Sequence, residues 1–310
     1  MGRLVLRRLL GAAVTFVLAT VVVFLVTFAL PGDPARTIAG RRQPTEATLR
    51  AIRLRYHLDE PLINQYLRWM GGLLRGDLGE SYASRRQVTT ILLEALPVSM
   101  TLLAVTLAIE LVIGIAVGTA VGSQRGGRLD VTTLVACIGA LAVPAFVAGV
   151  VLQDLVGVRW RLLPVAGIQD GLVSYLLPGF VLSLTGMAVA TRLIRAETLE
   201  SQHAQHVRTA VSKGLRQGAV TRRHVLYNSL VPFLSFVGLE IGALAAGSIV
   251  VERVFNLPGV GRAVARAISQ RDNTLIIGFS IATIAVYLVV DLVVDVAALL
   301  IDPRLRQADT

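Results

Sequence analysis

Four carboxylate residues stand inside long apolar stretches of this chain, where a charge is costly to hold. Glu110, Glu240, Asp291 and Asp295 are each flanked by runs of aliphatic residues. An ionised carboxylate is unfavourable in hydrocarbon, so such a group either faces an aqueous cavity or is protonated and hydrogen-bonded to neighbouring helices. No Lys or Arg lies deep in the same stretches to neutralise these four residues. They are therefore the first candidates for function.

The residue patterns of common hydrolytic enzymes do not occur in the sequence. There is no His-Glu-x-x-His metal motif and no Gly-x-Ser-x-Gly elbow. His203 and His206 stand three residues apart, but two ligands do not make a zinc site, so we interpret them as solvated. No Gly-x-x-x-x-Gly-Lys-Ser/Thr loop is present, so a nucleotide-driven process would need a separate ATPase. The single cysteine, Cys137, is interpreted as a small packing residue.

Composition places the chain in a membrane. Of its 310 residues 54% are hydrophobic and 16% charged, the mean hydropathy is +0.68, and the apolar residues form long blocks. The net charge is +10, and Lys213 is the only lysine among 30 basic residues. Because these charges flank apolar blocks, lipid headgroups and membrane topology explain them better than nucleic acid.

Six apolar stretches predict an all-α polytopic membrane protein with six transmembrane helices. Each stretch is long enough to cross about 30 Å of hydrocarbon as a helix. We interpret the first as a retained helix and not a signal peptide, because it is too long and ends without a small-x-small cleavage pattern. The six predicted spans are Leu9–Leu30, Val98–Gly122, Val131–Val156, Leu176–Leu193, Leu230–Val251 and Leu275–Ile301.

The distribution of basic residues predicts that both termini are cytoplasmic. Residues 31–97 are left out of the count, because charge in a segment longer than about 60 residues hardly influences topology. The inner side then holds 14 basic residues and the outer side 6.

The predicted divisions are an N-terminal span, an extracytoplasmic helical segment, a five-helix core containing a cytoplasmic loop, and a tail. They cover residues 1–30, 31–97, 98–301 (with the loop at 194–229) and 302–310.

The segment after the first span is predicted to be helical. Thr45 is a candidate N-cap, and apolar residues from Leu49 to Met70 recur at roughly helical spacing. Such a segment could serve as a structural lid or as a docking surface for an external partner, and the sequence favours neither.

Small residues at four-residue spacing predict close helix packing. Gly114, Gly118 and Gly122 share one face of the second span, and Gly238 and Gly242 repeat the pattern in the fifth. No internal inverted repeat is evident, which disfavours a secondary transporter with paired broken helices.

The segment from Arg195 to Pro232 is too polar to span a membrane and too long for a simple turn. Its pattern predicts a short helix, a break at Gly214 and a second helix that enters the membrane near Pro232. Such a rigid element on the cytoplasmic face could receive mechanical force from a separate soluble protein. The alternative is a solvated basic loop that touches lipid headgroups.

Five groups of motifs, in sequence order, resemble the B-type permease subunit of dipeptide and oligopeptide importers of the ATP-binding-cassette class. Together they cover nearly the whole chain, and the run Val207–Leu215 resembles the coupling-loop signature of these permeases. The other matches are Pro31–Pro34; Tyr66–Trp69 with Gly76–Gly79; Val250–Phe255 with Pro258–Gly261; and Asp302–Arg304.

The resemblance implies a plasma-membrane subunit that is not itself an enzyme. Its partners would be a homologous second permease subunit, cytoplasmic ATPases that bind ATP and Mg, and an extracytoplasmic substrate-binding protein. The implied cargo is a dipeptide or short oligopeptide, with metal chelates or haem as alternatives. A secondary transporter or an intramembrane enzyme is the competing class.

Carried over by position, Thr209, Ala210, Lys213 and Gly214 would couple the chain to the ATPase. Gly214 permits a backbone turn that a Cβ would hinder, and the small Ala210 lets a helix sit closely in a groove. The wider superfamily has a glutamate where this chain has Arg208, so any charge pairing with the ATPase could be reversed.

The carboxylates inside the apolar stretches are where this chain departs from the family. Glu240 and Asp291 stand where the family has amides, whereas Asp295 fits its pattern. Because a peptide brings a cationic amino terminus, we interpret these three as candidates for lining the translocation pathway. Glu110 has no counterpart in the family pattern, and we interpret it as structural.

Reporter fusions test the predicted topology. Fusions within residues 40–90 should report an extracytoplasmic position, and fusions within 200–225 a cytoplasmic one. A cytoplasmic signal from the first segment would reverse the topology and remove the assignment of the coupling loop with it.

Overall fold

The computed structural model describes residues 2–29, 34–39, 44–123, 126–205, 207, 212 and 226–301. Within these ranges the regular secondary structure is helical, apart from an isolated antiparallel bridge between Glu80 and Gln87. The helices are α1 (Gly2–Ala29), α2 (Pro34–Ala39), α3 (Glu46–Arg55), α4 (Leu62–Leu73), α5 (Val88–Gly122), α6 (Arg128–Ala142), α7 (Ala145–Leu152), α8 (Leu176–His203), α9 (Leu226–Val254), α10 (Val260–Gln270) and α11 (Asn273–Ile301). The predicted all-α class is confirmed for this part of the chain.

Four helical stretches among the described residues are long and apolar enough to cross a membrane. They coincide with the first, second, fourth and sixth predicted spans. Their bounds are Leu6–Val26, Val88–Gly122, Gly171–Gln202 and Asn273–Val294. The fifth predicted span lies within α9, a helix of 29 residues whose side chains are described from Phe236 onward.

The third predicted span is not one straight helix, so the prediction for Val131–Val156 is wrong in this respect. α6 ends at Ala142, and the chain bends by 103° before α7, which continues as a π-helix over Gln153–Arg159. The cause is local. Pro144 lacks an amide hydrogen and restricts the residue before it, and Val143 is accordingly extended, with φ −90° and ψ 120°.

Two helices extend beyond the apolar stretches that predicted them. α5 begins at Val88, ten residues before the predicted start of the second span, and it accommodates Pro97 within its length. α8 continues through the polar residues that follow the fourth span and ends at His203. Hydropathy identifies only the apolar part of a helix. The helix itself can continue into polar residues, because these also adopt helical conformation.

The described chain divides into two compact units. The N-terminal unit comprises residues 2–99 and 258–289, and the central unit comprises residues 100–257 and 290–301. In the N-terminal unit, Thr45 accepts a hydrogen bond from the Thr48 amide at 3.3 Å, which confirms the predicted cap of α3. The main apolar core of this unit consists of Leu78, Val88, Ala95, Val260, Ala267, Leu275 and Phe279.

A buried carboxylate organises the start of α11 in the N-terminal unit. Asp272 is fully buried and caps the helix by accepting the Leu275 amide at 3.2 Å. Its second oxygen accepts the Ser81 hydroxyl at 2.6 Å and the Ala83 amide at 3.1 Å. One side chain thus joins the helix terminus to the loop that precedes α5, and its hydrogen bonds offset the cost of burying it.

α8 is the central helix of the central unit. It packs against α6, α7 and α9, and glycines of α5 also contact it. α7 also contacts α9: a Cβ added at Gly149 would lie 3.2 Å from Val254 and 3.5 Å from Phe255. This arrangement brings residues of α5, α8 and α9 together.

Candidate functional site

Two carboxylates from different helices converge on one glycine in the central unit. A Cβ added at Gly186 of α8 would lie 2.6 Å from Glu240 Oε1, and closer still to Glu110 Oε1. Glu110 belongs to α5 and Glu240 to α9. Only the missing side chain at position 186 leaves room for both carboxylates beside α8.

Glu110 is the more deeply buried of the pair. Only 2% of its surface is exposed, and its Oε1 atom has no hydrogen-bond partner among the described residues. Glu240 is half-buried. Two carboxylates this close in apolar surroundings cannot both carry a charge cheaply, and a proton or a cation between them would lower that cost. This site is suited to holding one proton or one ammonium group.

The sequence predicts different roles for these two residues, a structural one for Glu110 and a place in the pathway for Glu240. The structure brings both to the same point beside Gly186. The signal that could have linked them is Gly186, a small residue in a long apolar helix. Its significance depends on which helices pack against α8, and the sequence alone does not give that.

Asp291 lies elsewhere, on the contact between α9 and α11. A Cβ added at Gly238 would lie 3.3 Å from Val294 and 3.7 Å from Asp291 Oδ1. Gly238 thus faces α11, while Glu240, two residues later, reaches α8. The side chain of Asp295 lies outside the described set, and Gly242 is half-buried in α9.

The predicted glycine face of α5 lies directly against α8. A Cβ at Gly114 would come within 2.8 Å of the Ala190 Cβ, and one at Gly122 within 2.7 Å of the Thr198 Cβ. Gly118, midway between them, would meet the Thr191 carbonyl oxygen at 2.8 Å. The contacts repeat every four residues on both helices, and Glu110 with Gly186 continues the same series by one step.

An ion pair that sequence reasoning missed joins α6 to α8. Arg195 donates to Asp130 from Nε at 2.5 Å and from a terminal guanidinium nitrogen at 2.8 Å, and Asp130 also accepts the Gly126 amide at 3.1 Å. Asp130 is buried and Arg195 is mostly buried. Bidentate pairs of this kind are among the stronger charge-assisted contacts. The pair fixes α8 two turns before its C-terminal end, close to the segment predicted to couple to an ATPase.

The residues predicted for coupling lie outside the described part of the chain; they are Arg208, Thr209, Ala210, Lys213 and Gly214. The second helix predicted for this segment is seen, since α9 begins at Leu226 and contains Pro232. Across the described ranges, no three His, Cys, Asp or Glu side chains are grouped closely enough to hold a metal ion.

Helices of membrane-spanning length, packed through glycines around buried carboxylates, define a polytopic membrane protein. The chain belongs to the family of inner membrane components of binding-protein-dependent transport systems. Residues 111–307 match that component, and residues 1–103 match the family of its N-terminal part. These are permease subunits of ATP-binding-cassette importers, and the resemblance to the dipeptide and oligopeptide type is confirmed.

Curated relatives resemble the chain over nearly its full length. It is 35% identical over 302 residues to the glutathione transport system permease protein GsiC of Pectobacterium atrosepticum, covering 97% of this chain and 98% of the relative. The proteins of the same name from Escherichia coli K12 and Shigella dysenteriae are each 32% identical over the same shares.

Replacing Gly118 with Ala should destabilise the contact between α5 and α8. The new methyl group would meet a backbone carbonyl and the Ile194 Cβ, both at 2.8 Å, and neither atom can rotate away. We expect a loss of about 1–3 kcal/mol, measured as a lower midpoint of thermal unfolding in detergent. Gly139→Ala in α6 is the matched control, because its Cβ would meet nothing within 4 Å. Equal midpoints for both variants would contradict the packing assigned to Gly118.

Proposed function

We propose that this chain is the permease subunit of an importer that moves dipeptides or short oligopeptides across the plasma membrane. The observation that carries the proposal is the full-length similarity to permeases whose names specify transport of glutathione, a tripeptide. Matches at both ends of the chain leave no large region unaccounted for by the family. The cargo is therefore taken to be a peptide in preference to a metal chelate or haem.

The driving force would come from other subunits. Two cytoplasmic ATPases would bind ATP and Mg, a homologous second permease would complete the pathway, and an extracytoplasmic binding protein would deliver the cargo. In the orientation that the basic residues favour, both termini are cytoplasmic and residues 31–97 lie on the opposite side. The polar segment between α8 and α9 then faces the ATPases.

The Glu110–Glu240 pair supports a role in handling the cargo's amino terminus. An ammonium group carries one positive charge and three donors, which suits two carboxylates that converge from different helices. Because Glu240 is half-buried, it would be the member of the pair that meets the cargo. Asp291 and Asp295 would add negative charge along α11. We therefore expect the importer to prefer peptides that have a free amino end.

Coupling would pass through α8. The Asp130–Arg195 pair ties this helix to α6 at the start of the predicted coupling segment, so movement of that segment would be transmitted to α8 as a rigid element. Gly186 lies on the same helix, between the two carboxylates. Movement of the coupling segment would thereby be transmitted through α8 to the proposed cargo site.

Replacing Gly214 with Val tests the coupling role. A β-branched residue hinders the turn predicted there, so transport should fall by about tenfold or more while membrane insertion stays near normal. Uptake by the assembled importer and the amount of inserted permease are measured together. Gly218→Val, four residues further along the same segment, is the control and should retain transport. Normal uptake by the Gly214 variant would mean that the segment is only a basic tether.

Replacing Glu240 with Gln tests the cargo site. The amide keeps the size but loses the charge, so uptake of a free dipeptide should fall by about tenfold, the value of one charge-assisted contact. Uptake of the same dipeptide with its amino group acetylated should change less, and ATP hydrolysis without cargo should be unchanged. Asp291→Asn is compared in parallel, and Glu94→Gln, in an exposed pair with Arg86, is the control. Wild-type uptake of both cargoes by the Glu240 variant would exclude the site.

A further inference from the structure

α4 presents two different faces. Ile63, Leu67 and the C-cap residue Leu74, which directly follows the helix in helical conformation, fall on one side of the helical wheel and are 68%, 61% and 82% exposed. Tyr66 and Trp69 point another way and pack into the N-terminal unit. A row of large aliphatic side chains left uncovered is costly in water, at about 25 cal/mol for each Å² of apolar surface. What covers this face therefore needs an explanation.

The packed face of α4 lies against a membrane-spanning part of α1. The Tyr66 ring meets Phe24 edge-on at a centroid distance of 5.4 Å, and its hydroxyl is 2.9 Å from the Thr20 hydroxyl. Trp69 lies 6.2 Å from the same phenylalanine. Thr20 and Phe24 are both inside the apolar stretch Leu6–Val26. Thr20 stands six residues before Val26, about 9 Å along the helix from it, and α1 itself continues to Ala29.

Contacts of α4 with α11 also lie inside an apolar stretch. Ile277 and Ile281 of α11 share the apolar cluster with Phe24, Tyr66 and Trp69. They stand four and eight residues after the start of the apolar stretch at Asn273, which is about 6 and 12 Å into the helix. The packed face of α4 therefore lies alongside apolar stretches of two helices that are long and apolar enough to cross a membrane.

We propose that α4 is embedded in one surface of the bilayer, with Ile63, Leu67 and Leu74 against lipid acyl chains. The exposed aliphatic residues of α1, among them Val22, continue the same kind of surface. Tyr66 and Trp69 are the residue types that favour the boundary between hydrocarbon and headgroups. Arg68 turns toward Glu60, whose two oxygens it contacts at 2.8 and 2.9 Å, so its charge is paired. The inference holds for either orientation of the chain and does not depend on the cargo.

Spin-label accessibility tests this placement in the assembled importer, reconstituted in lipid nanodiscs. The native cysteine is removed as Cys137→Ala in the permease, and any accessible cysteines of the partner subunits are replaced as well. Single cysteines are then introduced as Ile63→Cys, Leu67→Cys and Leu74→Cys and labelled with a nitroxide. Val22→Cys in α1 is the control for lipid contact, and Arg50→Cys on the exposed side of α3 is the control for water. Oxygen partitions into hydrocarbon and a nickel chelate stays in water, so their relative effects report the environment.

Positions 63, 67 and 74 should give an oxygen-to-nickel accessibility ratio close to that of Val22 and roughly tenfold above that of Arg50. Nickel access equal to that at Arg50 would overturn the proposal in favour of a water-exposed face. Protection from both reagents would overturn it in favour of a protein partner, such as the second permease or the binding protein. Each position is read separately, so a variant that fails to assemble leaves the other two to decide.

Discussion

The architecture of the central unit depends on how closely α5 approaches α8. Three glycines on α5 bring backbone against backbone, and at the next step of the series the roles are exchanged: α8 supplies Gly186 and α5 supplies the side chain of Glu110. These four glycines form what we call the glycine seam, and a larger residue at any of them would push α5 and α8 apart. The burial of Glu110, the approach of Glu240 from α9 and the tight course of α8 all follow from this packing, because interiors this dense transmit a misfit of one methyl group.

Buried polar groups hold helix ends at positions outside the contact between α5 and α8. In the central unit, Asp130 and Arg195 join α6 to the last turns of α8. In the N-terminal unit, Asp272 joins the start of α11 to the loop before α5, and the Ser99 hydroxyl accepts the amide of Val260 at 2.8 Å where α10 begins. In apolar surroundings such contacts have little competition from water, so each one specifies a single arrangement.

Much of this structure is encoded locally and could be predicted from the sequence. Five of the six apolar stretches predicted from hydropathy each lie in one unbroken helix, the glycine spacing identified the packed face of α5, and Thr45 marked the start of α3. The family resemblance was also correct, because its motifs are short and contiguous. The bend at Val143 was missed because the apolar composition on both sides of Pro144 resembles that of an unbroken span. The meeting of Glu110 with Glu240 was missed because it depends on which helices pack together, and no local pattern specifies that.

Contacts along the seam advance toward the C-terminus on α5 and α8 at the same time: Gly114 meets Ala190, Gly118 meets Ile194 and Gly122 meets Thr198. The two helices therefore run parallel. Two parallel membrane helices enter from the same surface, so the chain that joins them has to return across the bilayer an odd number of times. The bent segment Arg128–Arg159 is the part of that connection with the length and apolarity to do so. With α5 and α8 both crossing the membrane, this segment fits a broken crossing better than a hairpin that enters and leaves through one surface.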